Sequence, residues 1–286
     1  MKNCVNRKYI VTADDYGMCS IVNQAIDQCI SAGLVTSTNV ILNMEEAEAA
    51  KTLRQRFPHI SIGLHWNVTA GKPLLNKNRI STLINDDGYF YPVSTFLQLV
   101  RQKRINKQEL ILELTEQYLR FKDLCGQPAY WNTHQNSAFD FHTFNLFNEL
   151  ALQLGINKTR SFRRVYVKDK GLHHPKDWIM EMLKKCVTDL WFGYIIPRSG
   201  TKLPDGRMYY LIKNQNLDLL NITDNVFWRN KKLVEIVIHP SISQEYKYFG
   251  ELSDIRVEEY KMFSSQQTRD ALFSKSIELV NFDFVR

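Results

Sequence analysis

Apolar residues recur along this chain in two periods. Short runs rich in β-branched side chains read as buried strands, and three-to-four spacing reads as helices packed on them. Tyr9-Ile10-Val11 opens the series as a short buried strand that runs into Thr12-Ala13-Asp14-Asp15-Tyr16-Gly17. Ile21, Val22, Ala25, Ile26, Cys29 and Ile30 then form a helical stripe, with Ser20 as its N-cap and Gly33 just past its end. Residues 36–42 read as a second strand, 45–57 as a helix and 60–68 as a third strand. Residues 70–92 hold Gly, Asn, Asp and two prolines, which predicts an active-site loop or lid. One or two helices are expected over 96–124, a short strand over 129–133 and a helix over 144–154 ending at Gly155. A strand over 161–167 and a helix over 178–190 follow, and the period is unclear from 191 to 224. Residues 234–238 read as a strand that is apolar except for Glu235, 258–279 as mostly helical, and 280–285 as a last strand. Strands alternating with helices predict a parallel sheet. With no internal repeat, linker or Gly-rich nucleotide turn, residues 1–286 are expected to form one α/β domain, a closed or nearly closed TIM-like barrel.

Composition narrows the setting. The chain has 286 residues, 44% of them hydrophobic and 23% charged, ordinary values for a globular protein with a sizeable core. No apolar run approaches the ~20 residues of a membrane helix, and residues 1–7 lack the apolar core of a signal peptide. Five cysteines without CxxC spacing point to reduced thiols and a cytoplasmic location. The net charge of +7 is dispersed. Its densest patches, 101–104 and 229–232, read as solvated surface, so neither nucleic acid nor membrane is an expected partner.

Chemistry enters at Asp14 and Asp15, at the C-terminal end of the first strand, where α/β active sites gather. Two adjacent carboxylates repel unless a cation or proton offsets them. His65, His134 and His239 each lie at or near a strand end and can complete a site. One Asp with two His leaves metal positions open for water and substrate, and accepts a divalent ion such as Mg or Zn, with Mn, Co or Ni also possible. One carboxylate would then bind the metal and its neighbour act as general base, while a further histidine protonates a leaving group. That division suits hydrolysis of an amide or ester. A phosphate-ester hydrolase has only the basic charge in its favour.

Ala13-Asp14-Asp15-Tyr16-Gly17, Gly33-Leu34-Val35-Thr36-Ser37-Thr38, Gly63-Leu64-His65-Trp66-Asn67, Thr133-His134-Gln135 and Ile238-His239-Pro240 together resemble the YdjC-like carbohydrate deacetylase family. The likeness extends to the Arg256…Glu259 helix start. It implies a distorted (β/α) barrel, a divalent metal, often a homodimer, and removal of N-acetyl groups from amino sugars such as chitin oligosaccharides. A metal-bound water would attack the acetyl carbonyl. By position, the resemblance makes Asp14 the base, Asp15, His65 and His134 the metal ligands, and His239 the acid. Arg163, Asn67 and Trp66 are the expected substrate contacts, core packing being the commoner use of such a tryptophan. Two positions depart from the family pattern. Asn132 stands where an acidic residue is usual, and Asn136 where a further histidine is usual. These departures motivate the alternative of a non-catalytic or altered-specificity sugar-binding relative.

Overall fold

The computed structural model describes residues 8–163, 199–209 and 232–286, apart from 139, 141, 248, 250–252 and 275–276, with isolated positions between 183 and 190. The expected helix over 178–190 and the unreadable stretch 191–224 fall largely outside the described residues.

The first strand, β1 (Lys8–Tyr16), is buried along nearly its whole length. Its alternate residues Tyr9, Val11 and Ala13 join the main core beneath the helices, while Ile10 faces a second apolar cluster. Burial on both faces explains why the strand reads as a continuous apolar run. Helix α1 (Ser20–Ser31) follows, then β2 (Ser37–Val40), α2 (Leu53–Arg56) and β3 (Ser61–Trp66). Next come α3 (Val93–Arg101), α4 (Lys107–Cys125), β4 (Trp131–Thr133) and α5 (Phe144–Gln153). The last elements are β5 (Gly206–Tyr209), β6 (Leu233–Ile238), α6 (Ser253–Phe263), α7 (Gln266–Ser274) and β7 (Glu278–Leu279).

Among the described residues all strand pairs are parallel, in the order β4-β3-β2-β1-β6-β5, with β7 beside the start of β1. The sheet curls as a half-barrel, and residues 157–163 bridge its two edges. Trp131 N–H donates to the Lys158 carbonyl at 3.0 Å, and Arg207 N–H donates to the Arg163 carbonyl at 2.9 Å. The expected nearly closed barrel is therefore present. Of the strand expected over 161–167, residues 161–163 are irregular and 164–167 lie outside the described residues.

The N-terminal end of the barrel is plugged by Ile10, Tyr130, Val280, Phe282 and Val285. Tyr130 lies flat on Phe282 with ring centroids 3.7 Å apart. The predicted last strand over 280–285 thus does another job. Val280 N–H donates to the Tyr9 carbonyl, Asn281 caps the next turn through Asp283 N–H, and Phe282–Phe284 form a 3₁₀ turn.

Other expectations shift for local reasons. Ser20 is the first residue of α1, and Cys19 occupies the cap without a side-chain bond. The predicted helix over 45–57 is a 3₁₀ turn, Ala47–Thr52, running into the single turn of α2. Its start is pinned from outside, Glu46 N–H donating to the Gly17 carbonyl and Asn23 Nδ2 to the Glu46 carbonyl. The stretch 96–124 is two helices, and Lys103, at φ +59°, lies in the break. The loop 70–92 is fastened to α4, where the buried Glu113 carboxylate accepts from Leu74 N–H and Leu75 N–H, each at 3.0 Å. No helix among the described residues is long and apolar enough to cross a membrane.

Candidate metal and catalytic centre

The C-terminal ends of β1, β3, β4 and β6 carry the chemistry. Inward positions alternate along each strand, so residues two apart climb the barrel interior. Asp14 ends one such row on β1, His65 one on β3 and Asn132 one on β4. Asp15 escapes the alternation because its backbone turns, with φ +75°. Gln135 and Asn136 also sit at positive φ, at +51° and +55°. Strained backbone of this kind gathers at functional sites. Gly17, at φ +95°, completes the turn, and a Cβ there would lie 2.7 Å from the Ile41 carbonyl oxygen.

Asp15, His65 and His134 converge, all three buried, with one ligand atom from each within 4.8 Å of the others. Asp15 Oδ1 lies 3.0 Å from His134 Nδ1 and 3.3 Å from His65 Nε2. Metal bonds of about 2.0–2.2 Å place neighbouring ligand atoms about 3.0–3.5 Å apart, so the spacing suits a small divalent ion. His65 is oriented for this role. Its Nδ1–H donates to Asn132 Oδ1 at 2.5 Å, which leaves Nε2 with its lone pair toward Asp15. His134 Nε2 has no hydrogen-bond partner among the described residues. The residue types and their spacing fit a metal.

Each aspartate is held by its own arginine. Arg256, on α6, donates to Asp15 Oδ2 at 2.5 Å. Burial alone would raise the Asp15 pKa, but Arg256 and the two histidines outweigh it and hold the carboxyl well below its usual range. Arg160 grips Asp14 with two parallel bonds, NH1 to Oδ2 at 2.7 Å and NH2 to Oδ1 at 2.6 Å. Asn39 Nδ2 adds a third, to Oδ1 at 2.5 Å. Burial again opposes ionisation, yet Arg160, helped by His65 and His239, keeps Asp14 ionised far below ordinary carboxylate values. His239 Nε2 lies 3.6 Å from Asp14 Oδ2. Burial pushes the His239 pKa down to about 4, against the pull of Asp14 and Asp15. The backbone N–H of His239 donates to Glu259 on α6 at 2.6 Å.

Five residues expected at the site thus come together: Asp14, Asp15, His65, His134 and His239. Three expected substrate contacts do not join them. Trp66 is fully buried, donates to the Leu114 carbonyl and packs on Trp131 and Phe147, so it is core. The Asn67 side chain is spent on its own loop, Nδ2 donating to Asn43 and Ala70 and Oδ1 accepting from Thr69 and Ala70. Arg163 is exposed, and the arginine on Asp14 is Arg160, three residues earlier. Four polar residues beside the site carry no motif: Arg160 and Asn39 on Asp14, Glu235, which accepts from Arg160 Nε at 3.0 Å, and Arg207, whose NH1 donates to Asn136 Oδ1 at 2.9 Å. A polar residue inside a buried strand, as Asn39 and Glu235 are, was the available signal.

A family model for YdjC-like proteins matches residues 8–274. The chain belongs to the YdjC-like family. It is 27% identical to a carbohydrate deacetylase of Xenopus laevis over an alignment spanning 96% of this chain and 97% of that protein. It is 32% identical to a chitooligosaccharide deacetylase of Proteus mirabilis, over 54% of this chain and 57% of that protein. Across matched deacetylases the alignment takes in as little as 49% of the relative's own length. The YdjC-like chain also shares its fold with a solved structure from Enterococcus faecalis, described as a candidate cellobiose-phosphate cleavage protein. That pair has a TM-score of 0.72 at 22% identity, covering 97% and 98% of the two chains.

Proposed function

We propose that this protein is a metal-dependent N-deacetylase of amino sugars, acting on chitooligosaccharide-type substrates, with residues 1–286 forming one domain. The observation that carries the reading is the Asp15–His65–His134 cluster lying beside an ionised Asp14 and a neutral His239. The deacetylase names of its relatives support the substrate class. Asp15, His65 and His134 would hold the ion, with Mg or Zn first and Mn, Co or Ni also suited to this donor set. When bound, the cation supplies Lewis-acid polarisation of the acetyl carbonyl and a water of lowered pKa. The buried free thiols of Cys19, Cys29 and Cys125 support a reducing, cytoplasmic setting.

The protein's own groups then divide the proton transfers. Asp14 stays ionised across the physiological range, so it is always ready to accept a proton from the attacking water. Its low basicity prevents it from keeping that proton. His239, neutral near pH 7 and 3.6 Å away, takes the proton on and delivers it to the departing amine as the C–N bond breaks. Acetate and the free amino sugar are the products.

The test is acetate release from N,N′-diacetylchitobiose by protein stripped with EDTA and reloaded with each of the five metals. Release that requires metal supports the reading, and no release with any metal overturns it. The amides at 132 and 136 favour the second reading, a sugar-binding relative without turnover. Calorimetric binding of chitobiose in the absence of acetate release would select it.

A further inference from the structure

Glu235 is the one charged residue within β6. It is fully buried inside the barrel, below the candidate site. Its Oε1 accepts from Arg160 Nε at 3.0 Å, while Oε2 has no hydrogen-bond partner among the described residues. A buried carboxylate with an unsatisfied oxygen is costly, and a side chain kept only for packing would be apolar at this position. Its one described partner is the guanidinium that grips Asp14. The planar fork of Arg160 is therefore engaged on both edges, NH1 and NH2 upward on Asp14 and Nε on Glu235. Tyr130 and Ser37, bonded to each other at 2.8 Å, are further polar groups of the barrel interior.

We infer that Glu235 is a positioning residue for deacetylation, setting the rotation of Arg160 and through it the aim of Asp14. This inference rests on the deacetylase reading above. One consequence follows from the geometry. With Nε anchored, the guanidinium cannot turn about its Cδ–Nε bond, so both bonds to Asp14 stay aligned and Oδ2 stays within reach of His239. An arginine held at one edge alone would be a looser partner for Asp14. A displacement of about 1 Å in such a group costs up to about 100-fold in rate.

The test compares wild type with Glu235→Gln, which keeps the shape and one acceptor but removes the charge. Acetate release from chitobiose should show kcat lowered about 10- to 100-fold with KM within about twofold, since Glu235 does not touch substrate. Metal content by elemental analysis should be unchanged. The ¹⁵N-labelled Arg160 Nε–H, assigned by its loss in Arg160→Lys, should exchange with solvent faster in E235Q. Should E235Q fail to fold, Glu235→Asp retains the charge on a shorter stem and is read by the same measurements, with a smaller loss expected. Unchanged kcat, or a loss that follows metal content, overturns the inference. If the wild type itself releases no acetate, the deacetylase reading fails. Unchanged Nε–H exchange in E235Q would separately overturn the claim that Glu235 holds Arg160.

Discussion

In a Gly63→Ala variant the added Cβ would lie 2.4 Å from Tyr130 Cζ, 2.5 Å from Cε1 and 2.7 Å from Cε2. Carbon atoms need about 3.5 Å, so the ring or its strand must retreat by about 1 Å. The ring has no free direction. Phe282 lies 3.7 Å beneath it, and its hydroxyl is held by Ser37 Oγ at 2.8 Å. Overpacking of a rigid core typically costs about 1–3 kcal/mol, and a clash with a ring fixed on two sides belongs at the upper end, about 3 kcal/mol. The strain also reaches the site. Tyr130 leads into β4, its carbonyl accepts from Leu64 N–H, and His65 pairs with Asn132 in the next register. Pushing Tyr130 outward draws Asn132 off His65 Nδ1, and metal affinity should fall about 10-fold. Urea unfolding of the metal-free protein measures the first effect and calorimetric zinc titration the second. A double variant with Tyr130→Leu should cost less than the two single changes together by at least about 1 kcal/mol, because the clash is removed. A G63A protein within about 0.5 kcal/mol of wild type, or strict additivity in the double variant, would refute the packing argument.

Three further outcomes follow from the site. Asp14→Asn should retain metal by elemental analysis yet lose at least about 100-fold in kcat for acetate release, and near-wild-type turnover would remove Asp14 from the proton path. His134→Ala should lose bound metal, measured the same way, and an unchanged metal content would remove it from the ligand set. In metal-free protein the pKa of His239 is held to about 4, against about 6.5 when unfolded. Between these values the unfolded chain binds more protons, so this contribution to stability rises with pH, is complete above about pH 6.5, and loses up to about 3 kcal/mol on acidification to pH 4. His239→Gln should flatten the urea midpoint across that window, and an unaltered slope would show that His239 is not held neutral.

Much of this arrangement is legible in the sequence because strand ends are. Asp14-Asp15, His65, His134 and His239 each follow an apolar run, and in a parallel barrel all such ends share one rim. What the sequence conceals is the use of side chains within that frame. Trp66 and Asn67 follow His65 along the chain, but the pleat sends Trp66 outward to the core, and the Asn67 amide is consumed by the turn it organises. Arg160 has no periodic signal, since it lies in the irregular bridge of the barrel, and only the closed ring brings it to Asp14. The 280–285 run has strand composition, yet its apolar residues have a barrel end to plug, and that tertiary demand overrides propensity.

Under the proposed function, the charge balance of the centre would explain how an amide serves at position 132. Asp14, Asp15 and Glu235 oppose Arg160 and Arg256, three anions against two cations, and the buried Glu259 and Arg207 leave that balance unchanged. A divalent ion would turn the net charge from −1 to +1, the sign that stabilises a developing oxyanion. A carboxylate at position 132 would cancel that excess, tightening the hold on the ion while weakening its pull on the acetyl oxygen. Asn132 supplies the orienting acceptor to His65 without the charge. Arg256 would act in the same direction, because its bond to Oδ2 draws electron density from Asp15, the one anion of the proposed ligand set. In the proposed deacetylase both features would give up metal affinity for electrophilicity. Asn132→Asp should accordingly bind zinc more tightly and release acetate more slowly at saturating metal, and a variant that gained in both would show that the amide is not tuned for turnover.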